Sequence, residues 1–440
     1  MTMPRALFIS CILFGTMAQT AGAQNASAIR AEVNAVYAEA EALYMHLHKN
    51  PELSERETET AARLARELRA LGYEVTTGVG GTGVVGVLRN GAGPTVMLRT
   101  DLDALPVTEN TGLPFASTAR TRDASGNEVG VMHACGHDVH MAAWVGTARI
   151  MAADRGKWRG TLVLVGQPAE ELGLGATAMV KDGLFTKFPR PDYAIAVHDD
   201  PRYRAGYIGV RPGPLFTNSD ALLLRIFGRG GHGARPETTV DPVVIAARTV
   251  LSLQTIVSRE ISPFDPAVIT IGSIHGGTRH NIIPDEVQLH LSVRSFTTPV
   301  REHLLRAIAR IAAAEAAAAG APREPILERT GSAGALVNDS ALTRRVSAAL
   351  VRELGEEQVG IADQEMVSED FSVYSDEGVP TLMLRIGTVE SAKYDSAKKS
   401  GTPLPGLHSA QFAPDYEPTI KAAITAEVLA LRELMNAARP

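Results

Sequence analysis

The stretch TLVLVGQPAEE, residues 161–171, decides the fold, because a run of apolar residues is followed at once by a turn and two adjacent carboxylates. An apolar run of this length, bounded by turn residues, predicts a buried strand. Similar runs lie at Gly83–Leu88, Thr95–Arg99, Tyr193–Val197 and Thr381–Arg385. Buried strands separated by helical segments predict an α/β fold, a mostly parallel sheet flanked by helices.

Helical periodicity appears between these strands and towards both ends of the chain. It predicts amphipathic helices with one apolar face each. These helices are expected at 29–47, 57–71, 138–153, 340–354 and 417–436. The segment 388–406, rich in Lys, Ser, Gly and Pro, is interpreted as a mobile loop.

The order of elements changes between residues 214 and 330, where the pattern becomes β-α-β-β-α-β. This order is typical of a ferredoxin-like α+β domain. Because the parallel-sheet pattern resumes afterwards, residues 214–330 are predicted to be an inserted domain. Residues 24–213 and 331–440 then form the main domain. A chain of 440 residues is also longer than one hydrophobic core usually serves, which favours two domains.

Residues 1–23 have the layout of a secretory signal peptide. Arg5 precedes the apolar run Ala6–Gly15, and small residues at Ala21–Ala23 form a cleavage site. The apolar run is too short to cross a bilayer, which needs ~20 residues. We expect an exported bacterial protein, periplasmic or secreted, with no membrane span after the signal is removed.

Composition excludes some partners and one kind of cross-link. The net charge is −6 and aromatic residues make up 5 %, and both argue against a nucleic-acid partner. The chain has two cysteines, Cys11 and Cys135. Because Cys11 would leave with the signal peptide, the exported protein keeps only Cys135 and forms no internal disulfide.

Residues with metal-binding side chains follow several of the predicted strands. Because ligands bind beyond the carboxyl ends of strands in open α/β sheets, these side chains are expected to meet at one edge. Cysteine, histidine and carboxylate ligands together suit Zn²⁺, Mn²⁺, Co²⁺ or Ni²⁺. One thiolate, one carboxylate and three imidazoles would already make five ligands, more than one tetrahedral site needs. The residues are Asp101, Asp103, Glu170, Glu171, His198, His408 and, just before a predicted helix, Cys135 and His137.

Eight short motifs resemble the M20 metallopeptidase family, in its amidohydrolase branch of hippurate hydrolases, aminoacylases and auxin-conjugate hydrolases. The resemblance runs in order from about residue 30 to 435. It implies a zinc-peptidase-like catalytic domain with an inserted lid or dimerisation domain, and a homodimer formed through that domain. The motifs are HLHKNPELS (46–54), RTDLDALPV (99–107), HACGHDVHMA (133–142), GQPAEE (166–171), GRGGHGARP (228–236), NIIPD (281–285), SEDF (368–371) and LHS (407–409).

The resemblance also implies a set of metal ligands and a general base. Two divalent ions, Mn²⁺ or Zn²⁺ before Co²⁺ or Ni²⁺, would be bridged by Cys135, where other branches use Asp. Glu170 would be the general base, taking a proton from the attacking water while its neighbour binds metal. The implied ligands are Cys135, His137, Glu171, His198 and His408.

Further roles follow from the same resemblance. Asp103 would orient the site, and Asp101 stands beside it outside the ligand set, because the ligand His of other branches is absent here. His232 would stabilise the oxyanion, Asn281 would hold the substrate, and Arg294 is either a carboxylate clamp or a surface residue. The remaining interpretations are of Asp138 as a partner of a ligand His, and of His46, His48, His133 and His140 as structural residues or residues that surround the ligands.

The sequence therefore predicts hydrolysis of the amide bond of an N-acyl or N-aroyl amino acid, a small-molecule substrate. A dipeptidase or aminopeptidase with the same fold is the first alternative. A hydrolase with Cys135 as nucleophile and His137 or His198 as base would leave Glu170 and His408 unexplained. A catalytically dead metal-binding protein would not need Glu170.

Overall fold

The computed structural model describes residues 10–122 and 126–436, with side chains from residue 27 onward. The predicted signal peptide, residues 1–23, therefore lies outside the residues whose side chains are described. Within the described part of the chain, no helix is both long enough and apolar enough to span a bilayer.

The strands and helices alternate along most of the chain. The strands are β1 (Glu74–Val79), β2 (Gly83–Asn90), β3 (Thr95–Asp101), β4 (Arg120–Arg122), β5 (Glu128–Gly130), β6 (Gly160–Gln167), β7 (Tyr193–Arg204), β8 (Ile208–Val210), β9 (Gly213–Pro214), β10 (Asn218–Phe227), β11 (Gly231–His232), β12 (Ala267–His275), β13 (Ile282–Ile283), β14 (Glu286–Ser295), β15 (Ile326–Ala333), β16 (Val337–Asn338), β17 (Val359–Ile361) and β18 (Thr381–Val389). The α-helices are α1 (Ser10–Lys49), α2 (Thr58–Ala70), α3 (His137–Ala153), α4 (Gly175–Lys181), α5 (Leu184–Lys187), α6 (Pro242–Thr255), α7 (Thr298–Ala318), α8 (Ser340–Leu354), α9 (Ser372–Asp376), α10 (Ser391–Ser400) and α11 (Tyr416–Leu434).

The chain divides into two compact units. The first comprises Met1–Pro212, Asn338–Asp363 and Glu377–Pro440, and the second comprises Gly213–Val337 and Gln364–Asp376. The second unit thus includes a later segment that the sequence pattern assigned to the main domain. The reason is local pairing, since the Thr217 hydroxyl and N–H both donate to the Val367 carbonyl at 2.9 Å.

The first unit is built on an eight-stranded sheet in the order β1-β2-β6-β3-β7-β18-β8-β17. Its centre is parallel, because β6 pairs with β3, β3 with β7 and β7 with β18 in parallel register. Helix α3 packs on β3 and β7, and the Trp144 indole N–H of α3 donates to the Leu98 carbonyl of β3 at 3.0 Å. The predicted α/β fold with a mostly parallel sheet is confirmed.

The second unit contains a four-stranded antiparallel sheet in the order β12-β14-β10-β15. Helices α6 and α7 pack on it. Along β10, every second side chain is buried, so that Leu222, Leu224 and Ile226 face the apolar core of this unit. The β-α-β-β-α-β order and this strand order are those of a ferredoxin-like domain, as the sequence predicted.

The segment 388–406 contains the ten-residue helix α10, so its interpretation as a loop throughout was wrong. The Glu390 carboxylate caps this helix by accepting the N–H groups of Ala392 and Lys393 at 2.8 and 3.0 Å. Composition suggested a loop, but the cap satisfies the first N–H groups of the helix and lets it begin.

A buried acid on α11 predicts how stability depends on pH. Glu427 is fully buried and accepts the Thr147 hydroxyl at 2.6 Å. Burial raises the pKa of this carboxyl from 4.5 to about 8. Between these values the folded protein holds a proton that the unfolded chain releases, so stability falls as the pH rises through this window.

We therefore expect Glu427→Gln, which has no proton to lose, to be more stable than the wild type by on the order of 4 kcal/mol at pH 8. The two proteins should be nearly equally stable at pH 5. Thermal or urea unfolding at both pH values measures the difference. If the gap between the two proteins is the same at pH 5 and pH 8, Glu427 is not the titrating group.

Candidate metal centre

Local chain geometry places the candidate ligands at one edge of the sheet. β3 ends at Asp101 and β6 at Gln167, so the residues that follow them emerge side by side. The sequence predicted that His198 follows a strand that ends at Val197. In the structure His198 lies inside β7, because β7 continues to pair with β18 beyond this point. Helix α3 begins at His137, after Gly136, whose φ of 77° lies in the left-handed region that favours glycine.

Cys135 belongs to two groups of metal-binding side chains. In each group, one ligand atom per residue lies within 4.8 Å of the others. One group joins Cys135 to His137 and His198, and the other joins it to Glu171 and His408. A thiolate common to two such groups can bridge two ions.

The two buried histidines present the same ring nitrogen to this site. His137 Nδ1 donates to the Asp103 carbonyl, and His198 Nδ1 donates to the Asp199 carbonyl, both at 2.8 Å. The Nε2 atoms are left to face the other ligands, and His198 Nε2 lies 3.7 Å from Cys135 Sγ. A backbone acceptor on one nitrogen is the usual way in which a protein orients a metal-binding imidazole.

The charges around the two rings differ. Burial opposes protonation of His137, but the carboxylates of Asp101, Asp103 and Glu171 outweigh it and raise its pKa to about 10. Burial and the Arg385 guanidinium hold the pKa of His198 well below its ordinary value. The edge of the sheet near His137 is therefore strongly negative, and this favours a bound cation.

Two buried atoms of the site fit a metal ion. His137 Nε2 and Glu171 Oε1 have no hydrogen-bond partner among the described residues, although both are shielded from solvent. They lie 3.9 Å apart, and Glu170 Oε2 is also 3.9 Å from the same nitrogen. Buried polar atoms without partners are costly in a folded protein, and a coordinated cation would remove that cost.

Asp103 connects the site residues through its backbone and its side chain. Its carbonyl accepts from His137, and its Oδ2 accepts the Glu171 N–H at 3.0 Å. The same Oδ2 accepts the Ser54 hydroxyl at 2.6 Å. Asp103 thus holds two of the candidate ligands in position.

His408 reaches the site from a loop near the end of the chain. Its N–H donates to the Ala134 carbonyl at 2.8 Å, next to Cys135. Its Nε2 lies 3.4 Å from Glu171 Oε1, while about half of the side chain, 54 %, is exposed. The φ of His408 is 63°, a left-handed conformation that is uncommon outside glycine and that often occurs at functional sites.

Two residues near the site show how neighbouring side chains support it, one as the sequence reasoning expected and one not. His140 donates to Asp101 Oδ1 at 2.8 Å and accepts the Asp199 N–H at 2.9 Å. It therefore links β3 to β7 next to the candidate ligands. Its spacing of three from His137 on one helix was a signal for a shared face. Asp138 binds His48 at 2.6 Å, so its predicted pairing with a ligand His was wrong.

The remaining predicted residues belong to the second unit. His232 lies in β11 and pairs with Ile282 of β13, and Asn281 directly precedes β13. The Gly233 N–H donates to the Asn281 carbonyl at 2.9 Å. His232 Nδ1 accepts the Ala234 N–H at 3.0 Å, so the proton of a neutral ring is on Nε2. Arg294 donates to the Met366 carbonyl at 2.9 Å.

The edge of the mostly parallel sheet carries two donor groups that share the Cys135 thiol, and a second carboxylate, Glu170, lies beside them. This arrangement is that of a metal-dependent hydrolase. Comparisons with known proteins identify the family. The model of peptidase family M20/M25/M40 matches residues 97–400. The chain belongs to this family and is a metal-dependent amidohydrolase.

Relatives and solved structures resemble the chain over most of its length. N-acetyl-L-cysteine deacetylase of Bacillus subtilis (strain 168) is 35 % identical over 347 residues, covering 78 % of this chain and 79 % of the relative. Hippurate hydrolase of Campylobacter jejuni is 39 % identical over 272 residues, 62 % of this chain and 68 % of the relative. The crystal structure of the YXEP protein of Bacillus subtilis, a dinuclear metal-binding peptidase from the M20 family, superimposes with a TM-score of 0.75 at 29 % identity, covering 92 % of this chain and 99 % of the other.

Proposed function

We propose that the protein hydrolyses the amide bond of N-acyl or N-aroyl amino acids with two divalent metal ions. The observation that supports this most directly is that Cys135 lies in two donor groups, with Glu170 beside them. The named activities of the relatives, an N-acetylcysteine deacetylase and a hippurate hydrolase, support the substrate class. The products would be a carboxylic acid and a free amino acid.

The proposed ligands are those that the structure brings together. His137 and His198 would contribute Nε2, Glu171 and His408 would complete the second group, and Cys135 would bridge. When bound, Mn²⁺ or Zn²⁺, or else Co²⁺ or Ni²⁺, lowers the pKa of water and polarises a carbonyl oxygen. The mixed sulfur, nitrogen and oxygen donors suit these borderline ions better than Mg²⁺ or Ca²⁺.

Glu170 is the proposed general base. It lies 3.9 Å from His137 Nε2 and is mostly shielded from solvent. Its carboxylate would take a proton from the water that attacks the scissile carbonyl. It would then give that proton to the departing nitrogen, which leaves as an amine.

Residues of the second unit are proposed to bind the substrate. The proton on His232 Nε2 makes this ring a suitable hydrogen-bond donor to the oxyanion. Asn281, adjacent to it, would bind the substrate carboxylate or carbonyl. Arg294, whose Nη1 donates to the Met366 carbonyl, would act as the carboxylate clamp, with a surface residue as the alternative.

Asp103 provides a test of how the ligands are held. We expect Asp103→Ala to lower metal affinity by about 10–100-fold, because the Glu171 N–H and the Ser54 hydroxyl lose their shared acceptor. Asp103→Asn keeps an acceptor oxygen and should lose less. Metal content after dialysis against a graded chelator series measures both variants. Equal metal retention in Asp103→Ala and wild type would show that this carboxylate does not orient the ligands.

We also propose a homodimer formed through the second unit. Among the described strands, β12 lies at an edge of its sheet and pairs with β14. Large apolar side chains of this unit are exposed, among them Phe264 at 91 % and Leu251 at 72 %. Open edges and apolar patches of this kind suit association with a second copy. Sedimentation velocity of the full chain tests the proposal, and a monomer at micromolar concentration would rule it out.

Export to the periplasm or the medium is proposed from residues 1–23 alone. A positive residue, an apolar run and a small-residue cleavage site support it. N-terminal sequencing of the protein recovered from cell fractions is the test. A cytosolic protein that retains residues 1–23 would contradict it.

The function is tested by a substrate panel of N-acetyl, N-benzoyl and indole-acyl amino acids and plain dipeptides. Amino-acid release is measured on chelated protein before and after addition of Mn²⁺, Zn²⁺, Co²⁺ or Ni²⁺. Metal-restored cleavage of the acyl conjugates is expected. Cleavage of dipeptides alone would move the function to a dipeptidase, and equal cleavage without metal would overturn the metal site.

A further inference from the structure

The loop that leads into α2 contacts both strand ends of the candidate site. The Ala104 N–H donates to the Glu52 carbonyl at 2.8 Å, and the Ser54 hydroxyl donates to Asp103 at 2.6 Å. At the end of the same loop, Glu57 accepts the Ala169 N–H at 2.8 Å. One short segment therefore touches the chain just after β3 and just before the adjacent carboxylates Glu170 and Glu171.

The Glu57 carboxylate is fully buried and joins three segments of the chain. Its Oε1 accepts the N–H groups of Ala169 and Glu55 at 2.8 and 3.0 Å. Its Oε2 accepts the Thr82 hydroxyl at 2.6 Å. A buried carboxylate is expensive unless its oxygens are paired, and here both oxygens are.

Ala169 is held in an unusual backbone conformation just before Glu170. Its φ is 49°, in the left-handed region that residues with a Cβ rarely adopt. Its carbonyl accepts the N–H groups of Leu174 and Gly175 at 3.2 Å. A Cβ on Gly175 would lie 1.5 Å from the Pro168 carbonyl oxygen, so the turn is closely packed. Such a conformation persists only where the surroundings hold it.

We propose that Glu57 is a positioning residue for Glu170: by accepting the Ala169 N–H, it holds the left-handed turn from which the Glu170 carboxylate is directed at the reacting water. The proposal rests on the proposed role of Glu170 as general base. Asp103 holds Glu171 through a different hydrogen bond. Loss of Glu57 should therefore affect turnover much more than metal binding.

Glutamine is a close substitute for Glu57. Its amide oxygen can accept the two N–H groups now bound by Oε1, and its NH₂ group can donate to the Thr82 hydroxyl, which accepts as well as donates. Burial raises the pKa of the Glu57 carboxyl, so a neutral side chain is not disfavoured there. Alanine removes all three hydrogen bonds, and aspartate is one methylene too short to reach the same atoms.

The test compares Glu57→Ala, Glu57→Asp and Glu57→Gln with wild type for kcat, KM, metal content and thermal unfolding. We expect kcat to fall about 10–100-fold in the alanine and aspartate variants, the range for a base displaced by about 1 Å. KM and metal content should change less than about threefold in the same proteins. Glu57→Gln should recover kcat to within about threefold of wild type. Glu59→Ala, which removes an exposed carboxylate in the first turn of α2, two residues after Glu57, is the matched control and should match wild type.

The outcomes separate the two proposals. The positioning role is overturned if Glu57→Ala or Glu57→Asp folds, binds metal and keeps the wild-type kcat. It is also overturned if Glu57→Gln has a kcat as low as that of Glu57→Ala, or if Glu57→Gln fails to fold. If Glu57→Ala does not fold, Glu57→Asp carries the comparison. Glu170→Gln is measured in parallel. Full activity there overturns the general-base assignment itself, whatever the Glu57 variants show.

Discussion

Glu170→Gln is expected to lower kcat by about 10³-fold with two metal ions still bound per chain. The amide has nearly the shape of the carboxylate but cannot take a proton from water. Glu170 lies 3.9 Å from His137 Nε2. Because Glu170 is outside the proposed ligand set of Cys135, His137, Glu171, His198 and His408, the variant should remove proton transfer while leaving those ligands in place. Steady-state kinetics on a cleaved acyl amino acid, together with metal analysis of the same sample, measures both quantities.

The neighbouring residue supplies the matched comparison. Glu171→Gln should lose metal as well as activity, because Glu171 belongs to the donor group with Cys135 and His408. Added metal should restore activity in part to Glu171→Gln and not at all to Glu170→Gln. If Glu170→Gln loses its metal and recovers turnover when metal is added, Glu170 is a ligand and another residue is the base.

Cys135→Ala is expected to abolish binding of both ions at concentrations that saturate the wild type. Cys135 is the residue common to the two donor groups, so its removal weakens both. The loss should exceed the ~10–100-fold that is typical of outer partners of a metal site. Cys135→Asp offers a carboxylate at the same position and should keep two ions with reduced activity. Metal stoichiometry and chelator titration follow the effect.

His198→Ala is the control for Cys135. His198 appears in one of the two groups, so this variant should lose affinity for one ion and retain the other. The same stoichiometry in Cys135→Ala and His198→Ala would show that Cys135 does not bridge. A Cys135→Ala protein that binds two ions but is inactive would instead favour a nucleophilic role for the thiol.

The local pattern of the chain predicted most of the architecture. The apolar runs at Thr95–Arg99 and Thr161–Gly166 lie within β3 and β6, and the β-α-β-β-α-β order is that of the second unit. These predictions succeed because alternation and helical periodicity report which side of a segment is buried. Where composition alone was used, as for residues 388–406, the prediction was wrong.

Residue types near predicted strands and helices suggested the candidate ligands. The packing of distant segments decided which hydrogen bonds orient each ligand side chain. His137 exposes Nε2 because the Asp103 carbonyl binds its other nitrogen. Asp138 binds His48, 90 positions earlier in the chain, and Ala169 is held by Glu57 from 112 positions away. Sequence by itself determined which segments are buried, since burial follows from local periodicity, and residue type alone supplied the candidate metal-binding groups. Only the tertiary structure decided which atoms face each other, because hydrogen bonds between distant segments depend on how helices and strands pack, and no local pattern encodes that.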